Sequence, residues 1–141
     1  MRQIDSVNEI KNWVILVIDD TPDNLVVMQV VLKYHGAQVY TAESAEAGFE
    51  ILKSVHPTVI LMDIRMPKVN GIEMFTQLRA NPATTTIPVI AITAYAMDND
   101  RDKFIEMGFD GYMPKPFDMF SFVPEVQQIV LKTRGTQSQQ K

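Results

Sequence analysis

Short apolar runs without polar interruption punctuate the chain at Val14–Ile18, Val59–Met62 and Val89–Ile92. Such runs are the pattern of strands covered on both faces, the condition of a parallel sheet. Between them, apolar residues return at helical spacing. Thr21-Pro22 supplies an N-cap with proline at the first helical position, Leu25, Met28 and Leu32 share a face, and Gly36 stands where a left-handed C-cap belongs. Together these predict a helix over 22–35. Ala37–Thr41 reads as a second strand, Ser44 caps a helix to about Ser54, and Pro57 breaks the chain before a strand over 58–62. Asn70-Gly71 opens a third helix carrying Ile72, Phe75 and Leu78, and the turn formers of 81–86 make a loop. Pro88 starts the fourth strand, a helix over 97–107 ends at Gly108, and a brief fifth strand covers 110–113. In the last helix Asp118 is a candidate cap and Phe122, Val126, Ile129 and Val130 share a face. Pro124 falls within the second turn, which predicts an effective start near that residue. Strand alternating with helix in this way predicts an α/β domain: a five-stranded, doubly wound parallel sheet with helices on both faces, in three αβα layers.

The two ends depart from this rhythm. Ser6-Val7-Asn8-Glu9 fits a capping box, so residues 1–12 form either a short extra helix or a frayed leader. Residues 133–141 are expected to be a disordered polar tail, because Gly135–Lys141 contains no apolar residue.

At 141 residues the chain has room for one domain. No apolar run approaches the roughly 20 residues of a membrane span, and the start lacks the apolar core of a secretory signal, so the expected location is cytoplasmic. Cysteine is absent, which excludes disulfides and thiolate chemistry, and His35 and His56 lack ligand spacing. A net charge of −4 supplies no electrostatic reason for binding nucleic acid.

Polar groups stand where the strands stop: Asp19 and Asp20 after the first, Asp63 after the third, Thr93 closing the fourth, and Lys115 after Tyr112-Met113-Pro114. Ligands of open α/β sheets bind beyond the carboxyl ends of the strands, so these five groups are expected to meet on one edge. Three carboxylates are hard oxygen donors, the set that magnesium prefers and manganese also accepts. With the Lys115 ammonium they sum to −2, which a divalent cation would neutralise.

Asp63 lies in Met62-Asp63-Ile64-Arg65-Met66-Pro67, Gly71 follows eight residues after it, and Thr93-Ala94 and Lys115-Pro116 end later strands. In these motifs and their order, residues 13–132 resemble the receiver domain of two-component response regulators, of the stand-alone, chemotaxis-regulator-like kind. The resemblance implies a flavodoxin-like sheet of order 2-1-3-4-5 and a phosphoacceptor at Asp63. It implies Mg2+ held by Asp20 directly, Asp19 mainly through water, the Asp63 carboxylate and the Arg65 main-chain carbonyl. Attack by the Asp63 carboxylate on phosphorus would form an acyl phosphate, and that carboxylate needs no pKa adjustment to be ionised at neutral pH. Thr93, the Ala94 amide and Lys115 would meet the phosphoryl oxygens, with Lys115-Pro116 joined by a cis peptide bond.

The same resemblance implies a switch in which Thr93 moves toward the phosphoryl group and Tyr112 turns into the vacated space. Arg65 and Tyr95 would flank the path of hydrolytic water. Both are large and neither is a general base, so slow self-dephosphorylation is expected. A sensor histidine kinase or histidine-phosphotransfer protein would dock near the first helix, where Pro22, Leu25, Val26 and Val27 offer surplus apolar surface. An output partner or second copy would use the face of the fourth helix, fifth strand and fifth helix, where Met97, Phe104, Ile105, Met119, Phe120 and Phe122 crowd.

Two other functions compete. Haloacid-dehalogenase-like phosphatases also form an aspartyl phosphate, but their Asp-x-Asp signature is absent from Asp19-Asp20-Thr21. A hybrid sensor kinase or DNA-binding regulator would require this chain to be a fragment of a longer protein.

Overall fold

The computed structural model describes residues 10–65, 70–93, 100–115 and 119–139. Five strands, β1 (Val14–Ile18), β2 (Gln38–Ala42), β3 (Val59–Asp63), β4 (Val89–Thr93) and β5 (Gly111–Pro114), alternate with five helices. These are α1 (Pro22–Tyr34), α2 (Ala45–Leu52), α3 (Gly71–Ala80), α4 (Asp100–Met107) and α5 (Met119–Gln139). All four strand pairings are parallel and the order is β2-β1-β3-β4-β5.

Side chains of a strand alternate between faces, and two cores result. Ile15 and Val17 of β1 pack with Leu25, Met28 and Leu32 of α1 and Phe122, Val126 and Val130 of α5. Leu16 and Ile18 pack on the other face with Met74, Phe75 and Leu78 of α3 and Phe104 of α4. Because both faces are covered, β3 and β4 are buried at every position, which is why the sequence shows continuous apolar runs there.

Helix ends follow local chemistry. The Asn70 side chain accepts from the Glu73 N–H at 2.9 Å while Glu73 accepts from the Asn70 N–H at 3.0 Å, a reciprocal cap on α3. At the far end of α1, Gly36 adopts φ 95° and its N–H donates to the Lys33 carbonyl, with Ala37 N–H reaching Leu32. Only glycine takes that conformation without a steric penalty. Arg79, late in α3, donates to the Ile87 carbonyl and to Asp110 Oδ2, both at 2.8 Å, and Asp110 also accepts the Val89 N–H. Burial nevertheless pushes the Asp110 carboxyl up from its usual range, against the pull of those partners.

Several expectations are corrected. Helix α5 begins at Met119 rather than near Pro124, which lies inside it with an exposed ring. Packing of Phe122, Val123 and Val126 into the core offsets the hydrogen bond that proline removes. The helical run also includes residues 133–139, expected from composition to be disordered. Helix propagation from a docked nucleus adds one bond per residue fixed, and polar residues do not by themselves stop it. At the amino end, Ile10 and Trp13 are buried in the α1 and α5 core, so packing starts ahead of the expected boundary at residue 13. The possible cap Asp118 and the residues of the capping box at 6–9 lie outside the described residues.

Candidate functional site at the carboxyl edge of the sheet

Register brings the chemistry together. Ile18 pairs with Met62, Asp63 with Ile92 and Thr93 with Pro114. Two further backbone bonds extend these ladders past the strands, Asp19 N–H to the Ala42 carbonyl at 3.0 Å and Lys115 N–H to the Thr93 carbonyl at 2.8 Å. Asp19, Asp63, Thr93 and Lys115 therefore leave the sheet at the same level.

Asp19 is fully buried, whereas Asp20 is the most accessible of the three acids. Each of Asp19, Asp20 and Asp63 places a carboxylate oxygen within 4.8 Å of the others. Asp19 Oδ1 accepts the Thr21 N–H at 2.9 Å, and its Oδ2 accepts Lys115 Nζ at 2.7 Å and Asn24 Nδ2 at 3.3 Å. Lys115 lies 3.5 Å from Asp63 Oδ2, so the ammonium leans toward Asp19. Asp63 Oδ1 accepts the Arg65 N–H at 3.1 Å. Gly71 makes this approach feasible: a Cβ there would stand 2.7 Å from the Asp63 carbonyl oxygen and 2.7 Å from Ile64 Cα.

Burial, reinforced by the neighbouring Asp19 charge, raises the Asp63 pKa from 3.8 to about 6, with Lys115 and the Arg65 N–H pulling it down. Ionisation at neutral pH survives, because pH 7 still lies above that value.

A site of three clustered carboxylates and one ammonium is compatible with a divalent metal. Hard oxygen donors from two strand ends, with at least one accessible, are the donor chemistry such an ion needs.

The remaining expected groups divide. Thr93 is buried at the end of β4. Tyr112, expected to turn inward on switching, is already inward here, 5% exposed and stacked on Phe104 at 5.5 Å. Arg65 reaches the site through its N–H, and its residue is otherwise exposed. Met66, Pro67, Ala94, Tyr95, Pro116, and hence the Lys115-Pro116 bond, lie outside the described residues. On the expected output face Phe104 and Phe122 are core residues, leaving Ile105 exposed; the side chains of Met97, Met119 and Phe120 are outside the described set. On α1, Leu25 is buried and Pro22, Val26 and Val27 are exposed. Val30, 60% exposed, extends that patch and was missed, although it sits one turn beyond Val26. Asn24 was missed too; its only signal is its place in the first turn after the acidic pair.

Over residues 15–127 the chain matches the response regulator receiver domain, and it belongs to that family. It is 36% identical to the "Uncharacterized 14.6 kDa protein in sodA1 3'region" of Leptolyngbya boryana, over 83% of this chain and 89% of that protein. It is 32% identical to protein PilH of Pseudomonas aeruginosa, over 82% of this chain and 96% of PilH. The sensor protein GacS of Pseudomonas syringae pv. syringae is also 32% identical over 86% of this chain, which spans 13% of GacS. A response regulator from Desulfuromonas acetoxidans superposes with a TM-score of 0.77 at 25% identity, covering 84% of this chain and 97% of that one. The chain is thus a receiver domain of two-component signalling, with the CheY-like, flavodoxin-like topology. Among the described residues no helix is long and apolar enough to cross a membrane.

Proposed function

We propose that Asp63 accepts a phosphoryl group from a phosphohistidine on a sensor kinase or histidine-phosphotransfer protein, and that the modified domain signals by protein contact. The observation that carries this reading is the convergence of Asp19, Asp20, Asp63 and Lys115 within one cluster at the carboxyl edge. An ionised Asp63 oxygen attacks phosphorus, a new P–O bond forms, and the P–N bond breaks with its electron pair passing to the departing imidazole. Asp19, Asp20, Asp63 and the Arg65 carbonyl would hold Mg2+, or Mn2+ in its place. Such an ion would offset the charge of the carboxylates and of the incoming phosphoryl oxygens. Lys115, 3.5 Å from Asp63 Oδ2, is near enough to follow the new charge. The Thr93 hydroxyl and Ala94 amide complete the phosphoryl contacts in this reading, and Tyr112 serves as the switch beside Thr93.

Docking of the donor on α1 is supported by the exposed Val26, Val27 and Val30 beside the site. Output through α4, β5 and α5, to a partner or a second copy, is supported by an open groove of about 870 Å³ lined by Arg101, Ile105, Phe109 and Ile129 among others. Bulk at Arg65 and Tyr95 favours a long-lived acyl phosphate, suited to onward transfer. The near-full coverage of PilH supports an independent receiver and the partial coverage of GacS a receiver within a sensor kinase.

Incubation with acetyl phosphate and magnesium tests the assignment by mass. One phosphoryl group is expected on Asp63, lost in Asp63→Asn and in the presence of a chelator. Stable labelling of the Asn variant at that position would refute it.

A further inference from the structure

Asp19 has 0% exposure, so its orientation is set by contacts inside the protein. Two of its three donors belong to the start of α1, the Thr21 N–H on Oδ1 and the Asn24 amide on Oδ2, and the third is Lys115 on Oδ2. This start is unusual. Thr21 is the N-cap, yet its side chain makes no capping bond. Asn24 occupies the third helical position, from which a capping-box side chain ordinarily reaches back to the N-cap N–H. Here Asp19 takes that N–H, and Asn24 turns its amide onto Asp19 instead.

The two groups on Oδ2 differ in what they do when a cation arrives. Lys115 carries a positive charge and is repelled by a dication in the cluster, with Asp63 Oδ2 at 3.5 Å as its nearby alternative. Asn24 is neutral and can stay. Without it, the carboxylate would keep only the Thr21 N–H on the opposite oxygen, and the terminal torsion of an aspartate is broad enough to let it rotate.

We propose that Asn24 is a positioning residue for the cation site, holding the Asp19 carboxylate in its cation-facing orientation as Lys115 moves off Oδ2. The inference rests on the cation reading above and adds a residue that the reading does not use. Groups that orient a metal ligand from the outer shell are worth about 10–100-fold in metal affinity.

Calorimetric titration of the intact protein with MgCl2, repeated with MnCl2, tests this on wild type, Asn24→Leu and Asn24→Gln. Leucine matches the size of asparagine and lacks the donor; glutamine retains it on a longer arm. The expected result is about a tenfold rise in Kd for N24L, the lower end of the outer-shell range, with N24Q recovering most of the loss. A purely structural role at the helix start would instead lower the metal-free melting temperature of both variants and show no rescue in Kd. Unchanged affinity in N24L, or N24Q as weak as N24L, overturns the proposal. Wild-type protein that binds neither ion overturns the cation reading itself, and the inference with it.

Discussion

Replacing Asp63 by asparagine should make the metal-free protein more stable. The residue is 5% exposed and its pKa is raised from 3.8 to about 6, chiefly by burial and then by Asp19. At about 1.4 kcal/mol per pKa unit, holding this carboxylate ionised costs the fold roughly 3 kcal/mol at a pH well above 6. Asparagine must itself be desolvated, and Lys115 loses one of its two acceptors, so about half of that, ~1.5 kcal/mol, should remain as a net gain. For a chain of this size the gain corresponds to a rise of about 5 °C in melting temperature. The sign with pH follows from the direction of the shift. The folded state binds the Asp63 proton more tightly than the unfolded state, so the wild-type penalty is full above about pH 6 and fades as pH falls toward 3.8. The gap between D63N and wild type should therefore be wide at pH 7.5 and close near pH 4. Thermal unfolding by circular dichroism with a chelator present measures both points. Millimolar magnesium should narrow the gap by stabilising the wild type alone. A variant melting at or below the wild type at pH 7.5 would refute the argument that a buried charge only partly offset by Lys115 and the Arg65 N–H sits at this position.

Gly71→Val should destabilise the protein by about 1–3 kcal/mol, because a Cβ at that position meets backbone atoms of Asp63 and Ile64 that cannot rotate away. Urea unfolding reads the loss, and a neutral outcome would mean that α3 can slide outward freely. Val26→Asp with Val30→Asp should leave the melting temperature within about 1 °C, since both side chains face solvent, while weakening transfer from a cognate phosphohistidine donor. Undiminished transfer in that double variant would move the docking surface off α1.

How far the sequence carries depends on whether a property is local. The strands are readable because Val14–Ile18, Val59–Asp63 and Val89–Thr93 are covered on both faces, and the polar groups at their ends, Asp19, Asp63 and Thr93, are visible as the first polar residues after each apolar run. Boundaries shift by a residue or so, as at β2, since strand ends are decided by pairing with neighbours. What escapes the sequence is set across the fold. The lean of Lys115 toward Asp19 depends on two side chains 96 positions apart. Which of the crowded apolar residues of α4 and α5 are core, as Phe104 and Phe122 are, is decided only once two separate cores are seen to need them. The raised pKa of Asp63 comes from burial that no local motif encodes, and the direction of the Asn24 amide depends on which group caps α1.

The Arg79–Asp110 pair lies at the end of the sheet opposite the acids, and its consequence is mechanical. Arg79 ties α3 to the approach to β4 through Ile87, two residues before the strand, and to the entrance of β5 through Asp110, while its guanidinium sits 4.7 Å over the Phe75 ring. Asp110 in turn holds the first N–H of β4. The clasp pins three elements at their rear, so that β4 and β5 resemble two blades riveted at the handle. A displacement of Thr93 and Lys115 is therefore anchored at its far end by that rivet, with its greatest freedom at the carboxyl edge of the sheet.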